Sequence, residues 1–85
     1  MKFLALEREL THDPDAFQPY LRAEAERAWA LYQTGVLREC YFRADQHTAV
    51  LILECADTAE AHEILASLPL VSAGLIAFDV LPLTP

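Results

Sequence analysis

The residues of this chain whose types and spacing could move a proton sit on two neighbouring runs. Glu39, Tyr41 and Arg43 occupy alternate positions of residues 36–44 (VLRECYFRA), and Glu54 lies near the end of residues 47–55 (HTAVLILEC). In an extended segment, alternation puts the first three on one face. An Arg offers forked donors to a carboxylate or enolate oxygen, a Tyr orients a ligand, and an acid whose pKa is raised by burial can take up and return a proton. Glu39 and Glu54 are therefore the catalytic candidates, with the identity of the proton-transferring acid left open between them, and Tyr41 and Arg43 the ligand-binding ones. The competing structural reading makes Glu39 and Arg43 rim charges paired across an interface, with Tyr41 as interface packing.

Other chemistry is weaker. Cys40 and Cys55 fit neither a CxxC nor a zinc spacing and read as buried free thiols. His12, His47 and His62 lack ligand spacing and read as solvated, so no metal site is expected. Trp29, with Tyr32 and Tyr20, reads as helix packing, and Arg22, Glu24, Glu26 and Arg27 as a solvated helix face. Gly35 and Gly74 are the only glycines, which leaves no phosphate-cradling loop, and Ser67 and Ser72 have no evident triad partners. No cofactor is expected.

Composition narrows the partners. A net charge of −7, with only six dispersed basic residues, argues against nucleic acid and against an anionic membrane surface, both of which need clustered Lys and Arg. No segment reaches the roughly 18 apolar residues of a spanning helix. The apolar start meets Glu7, Arg8 and Glu9 before a signal-peptide core is complete, so a cytoplasmic location is expected. The 85 residues make one domain, 1–85, of a size that buries only about 60% of its unfolded surface. Yet 54% of them are hydrophobic, more than one small core needs, which points to a partner subunit.

The elements that must position the candidate residues follow from periodicity. Residues 2–8 suit a strand. Asp13, Pro14 and Asp15 supply a helix start, Phe17, Leu21, Ala25, Ala28 and Leu31 recur at helical spacing, and Thr34-Gly35 ends a helix predicted over 14–34. Residues 36–44 and 47–55 form a predicted hairpin turning at Asp45-Gln46. Asp57-Thr58-Ala59-Glu60 has the form of a capping box for a second helix ended by Pro69, and residues 74–81 make the last strand. The order β-α-β-β-α-β is the ferredoxin-like α+β arrangement: a four-stranded antiparallel sheet, first and third strands central, with both helices on one face.

A two-residue turn would pair Ala44 with His47 and so set Arg43 opposite Thr48, Tyr41 opposite Val50, Glu39 opposite Ile52 and Leu37 opposite Glu54, these last four pairs on one face. Cys40, Phe42, Ala49, Leu51, Leu53 and Cys55 then form the other, apolar face, assigned to the helices, with Cys40 opposite Leu51. The first face, joined by Phe3, is too apolar to be left to water. A second copy of the same sheet would cover it as a homodimeric barrel, with a small-molecule site inside.

The segment Ile64-Leu65-Ala66-Ser67-Leu68-Pro69-Leu70-Val71, followed by Ile76-Ala77-Phe78-Asp79-Val80 and Pro82, resembles the end of the muconolactone delta-isomerase family, in which a helix closes on Leu-Pro-Leu before the last strand. Gly35-Val36-Leu37-Arg38-Glu39-Cys40-Tyr41 is similar to that family's Gly-x-x-Arg-x-x-aromatic lead into the second strand. The resemblance, as to a separate branch of the family, implies ferredoxin-like subunits paired through their sheets in a dimeric α+β barrel. It also implies a cofactor-free isomerase that shifts a double bond in a small unsaturated lactone or enolisable acid by moving a proton. Arg38 and Tyr41 match the family's positions, although strand parity turns Arg38 towards the helix side. The alternative is a non-catalytic module that binds a small ligand or supports an assembly, and the dimer could assemble further.

Overall fold

Alternating side chains along Lys2–Glu9 form the first strand, β1, and bury Phe3 and Ala5 completely on one side in a computed structural model that describes residues 1–85. The Asp13 carboxylate then accepts the Asp15 N–H at 3.0 Å and starts a helical segment, as its sequence predicts. That segment is not one continuous α-helix. Pro14–Tyr20 is a 3-10 helix, and α1 proper runs over Leu21–Gln33. Pro19 accounts for the break, because it lacks an N–H and disfavours α geometry at Gln18 before it. Gly35, at φ 82°, ends α1: its N–H reaches the Tyr32 carbonyl at 3.1 Å, and the Val36 N–H reaches that of Leu31 at 3.1 Å. This paired closure needs a left-handed residue, hence glycine.

Strands β2 (Leu37–Phe42) and β3 (Ala49–Glu54) form the expected hairpin. Its loop is longer than two residues. Arg43 donates to the Thr48 carbonyl at 2.9 Å and accepts from the His47 N–H at 3.0 Å, so residues 44–47 make the turn, with His47 left-handed at φ 54°. A tight two-residue hairpin turn needs positive φ, and the segment offers no glycine. The register beyond it is nonetheless as predicted: Phe42 opposite Ala49, Tyr41 opposite Val50, Cys40 opposite Leu51, and Glu39 opposite Ile52.

Three placements differ from expectation. A bulge between Leu37 and Glu39 puts Leu37 opposite Leu53 rather than Glu54, so Leu37 is buried on the helix face. Arg38 is the residue at this bulge and is exposed. Phe3 pairs with Leu53 and shares its helix-facing side, leaving Leu4 and Leu6 on the open face.

Helix α2 (Thr58–Ala66) begins at the predicted cap: Asp57 accepts the Glu60 N–H at 2.8 Å, while the Glu60 carboxylate accepts the N–H of Ala56 at 3.1 Å. Pro69 starts a further short helix, α3 (Pro69–Ser72), and β4 (Ile76–Leu83) completes the chain's regular structure. The strands lie antiparallel in the order β2-β3-β1-β4, with the first and third strands central as expected of the ferredoxin-like α+β fold. The core, built from Phe3, Ala5, Leu51 and Leu53 of the sheet with Leu31, Ala61, Leu65 and Leu68, fills the space under the helices. No helix is long and apolar enough to cross a membrane.

Candidate functional site

The helices do not cover their side of the sheet completely. Towards β2, at the sheet edge, a groove of about 540 Å³ opens between α1 and the strands. Its floor includes Cys40, Leu51 and Leu53, and its mouth is flanked by Trp29, Tyr32 and Phe42, each more than half exposed. The incomplete cover explains two further departures from the sequence reading. Cys40, which lines the groove, is exposed, and Cys55, beyond the end of β3 and outside the groove, is half-buried independently of it, so neither thiol is sealed in the core, although both are free as expected. Trp29 and Tyr32 stack on each other, centroids 5.6 Å apart at 21°, instead of packing inward. Phe42 stacks in the same way on His47.

Of the 17 residues lining the groove, 15 are hydrophobic, and the other two are acids, Glu7 and Glu24. Glu7 continues the inward row of Phe3 and Ala5 along β1. The β1–β3 pairing extends to Leu6 and Val50, and just beyond it Glu7 Oε1 accepts the Ala49 N–H at 3.2 Å. Glu24 lies in the first turn of α1, where its Oε1 accepts the N–H of Leu70 at 3.0 Å and so satisfies a free donor at the start of α3. Glu24 is thus not part of a solvated helix face as its neighbours suggest; helix packing turns it inward.

Both carboxyls are half-buried, and burial raises the pKa of each. The backbone donors oppose that rise, at Ala49 for Glu7 and at Leu70 for Glu24. Glu7 is raised further by the charges of Glu9 and Glu24 and lowered by His47. Two carboxyls with raised pKa beside an apolar cleft hold a proton more readily than exposed carboxylates and are candidates to take up and return one. The Cys40 thiol, exposed to the groove yet partly desolvated by its apolar walls, is also pushed up, which disfavours the thiolate needed for nucleophilic attack.

Glu39, Tyr41, Arg43 and Glu54 lie on the opposite, open face. The Tyr41 hydroxyl donates to Glu39 Oε1 at 2.7 Å, and this bond raises the Tyr41 pKa, so those two residues are brought together. Arg43 instead makes a forked pair with Asp45 of its own hairpin, Nε at 2.9 Å and Nη2 at 2.7 Å. Glu54 pairs with the N-terminal amine at 3.1 Å, which lowers its pKa, the reverse of the rise expected of a buried acid. Arg38 and Lys2 lower it further. In the single chain this face therefore holds one carboxylate–phenol pair and two separate ion pairs.

Sequence reasoning missed Glu7 and Glu24, though each left a signal. Glu7 interrupts the alternation that buries Phe3 and Ala5, and Glu24 follows Leu21 by three residues and precedes Ala28 by four, alongside the apolar stripe of α1.

Residues 3–85 match the family model described as muconolactone delta-isomerase. Among solved structures, a muconolactone isomerase crystal structure aligns with a TM-score of 0.79 at 20% identity, covering 100% of this chain and 90% of that one. A 5-chloro-2-hydroxyhydroquinone dehydrochlorinase from Burkholderia phenoliruptrix AC1100, in complex with 2,5-dihydroxybenzoquinone, aligns with a TM-score of 0.77 at 18% identity, covering 99% and 94%. At these identities the structural likenesses establish the fold. No curated protein matches the chain.

Proposed function

The chain belongs to the muconolactone delta-isomerase family, and on that premise we propose that it isomerises a small unsaturated lactone or related enolisable ring by moving a proton, without a cofactor. The observation that supports this reading is the Glu7 and Glu24 pair, both half-buried and both raised in pKa, in an otherwise apolar groove. One carboxylate removes a proton from the carbon beside the double bond, and the electron pair delocalises into the ring carbonyl as a dienolate. A carboxylic acid of the pair then delivers a proton to the far end of the conjugated system. One C–H bond breaks and one forms, the double bond shifts, and no oxidant or reductant is consumed.

The test is turnover of an unsaturated lactone panel. Glu7→Gln and Glu24→Gln keep a carbonyl acceptor for the Ala49 and Leu70 N–H groups but cannot exchange the proton, and each is expected to lower turnover about 100-fold or more. Loss of turnover in Glu39→Gln or Glu54→Gln with the groove variants active would move the chemistry to the open face and overturn this assignment.

A second reading, a non-catalytic module that binds a small ligand, is favoured by the structural task each groove acid already performs for a backbone N–H. It predicts ligand binding with no turnover of any lactone. In either case we propose a homodimer through the open sheet face, where Leu4, Leu6, Val50, Ile52 and the exposed Leu81 lie among Glu39, Tyr41 and Arg43.

A further inference from the structure

We propose that the groove takes an uncharged planar ring bearing hydroxyl or carbonyl groups, and that its two acids reject rings carrying a carboxylate. This rests on the reading of the groove as the reaction site and names the class of its substrate.

The chain has six Lys and Arg side chains, and none lines the groove. Four of them are bonded elsewhere. Arg8 pairs with Asp79, Arg22 with Glu26 and Arg43 with Asp45. Arg27 donates to the Ser67 hydroxyl at 2.9 Å, while Lys2 and Arg38 make no ion pair and lie outside the groove, where their charges lower the Glu54 pKa. A ligand carboxylate in the groove would therefore lose water and gain no cation, while meeting the two carboxyls of Glu7 and Glu24 in a setting where like charges repel strongly. His47 bears on Glu7, but its ring is stacked on Phe42.

A neutral ring meets the opposite conditions. The apolar walls and the aromatic side chains at the mouth, with Trp29 and Tyr32 already stacked, suit a flat face. The carboxylates of Glu7 and Glu24 at the groove can accept from a ring hydroxyl, and either one, when protonated, can donate to a ring carbonyl. A volume of about 540 Å³ accommodates a ligand of one ring with its substituents.

Matched pairs differing only in the carboxylate test this. Hydroquinone is compared with 2,5-dihydroxybenzoate, and an unsaturated γ-lactone with its carboxymethyl derivative, by titration calorimetry on the full chain at pH 8. The neutral member of a pair is expected to bind at least about tenfold tighter, with the gap closing in the Glu7→Gln, Glu24→Gln double variant. Equal or tighter binding of the carboxylated members overturns the proposal, and so does failure of both neutral rings to bind. The two readings separate cleanly. Neutral selectivity with turnover intact in the single Gln variants removes the proton-transfer role and keeps the ligand class. Turnover of a carboxylated lactone that those variants abolish does the reverse.

Discussion

Glu7 and Glu24 are held where burial opposes their charge, and the sign of the consequence for stability is fixed. A carboxyl whose pKa is raised in the folded state binds its proton more tightly there than in the unfolded chain. Its contribution is complete in acid, below the ordinary carboxylate range, and is lost as pH rises through the raised value. Replacing both acids by Gln removes that loss. The double variant should match the parent in thermal midpoint at about pH 3 and exceed it at pH 7 to 8, measured by circular dichroism melts in matched ionic strength. A lower midpoint than the parent across that range would show that the acids stabilise the fold as anions. Glu54 and Asp45 behave oppositely: their pKa values are lowered by the terminal amine and by Arg43, so their contributions are present above the ordinary range and fade as pH falls. Stability raised by the same substitutions that abolish turnover is the pattern of a site kept for chemistry rather than for folding.

The elements depend on a few local devices whose loss has a predictable size. Gly35 closes α1 in a left-handed conformation at φ 82°, and nothing lies within 4 Å of where a Cβ would stand. Gly35→Ala is therefore expected to cost about 1 kcal/mol from backbone strain alone, read as a shift in the denaturant midpoint with unchanged slope. Asp57→Ala removes the cap of α2 and should cost a further ~1 kcal/mol, additive with the first because the two helix ends share no partner. These devices were legible in the chain: Asp13, the Asp57–Glu60 box and Gly35 all act where local sequence places them. The exceptions are equally local in cause. Pro19 divides the predicted first helix into two kinds of helix, and the bulge before Glu39 shifts Leu37 by one face. A bulge adds a residue without changing residue types, so alternation alone does not reveal it.

At the scale of the molecule, the two faces of the sheet pose different problems. The helix face is covered except along β2, which creates the groove, and the open face carries an apolar row that no helix of this chain covers. If two copies pair there, as proposed, sedimentation should give twice the 9.5 kDa of one chain. Ile52→Arg, at the middle of that face opposite Glu39 and Leu4, should return it to one without unfolding it. A folded monomer in the unaltered protein would remove the sheet-to-sheet dimer.

Sequence alone determined the order of elements, the antiparallel sheet with its central first and third strands, the helix caps and the hairpin register from Glu39 to Phe42, because these depend on local propensity, capping and a period of two. Tertiary structure decided where the half-buried acids are. Glu24 looks like a surface residue beside Arg22 and Glu26 until α1 lies over the sheet and brings it to the Leu70 N–H, 46 positions along the chain. Glu7 becomes a groove acid when β1 stops pairing with β3 after Leu6, which leaves the Ala49 N–H to its carboxylate. Burial of a charge depends on what packs against it, and the elements that pack against these two acids come from distant parts of the chain.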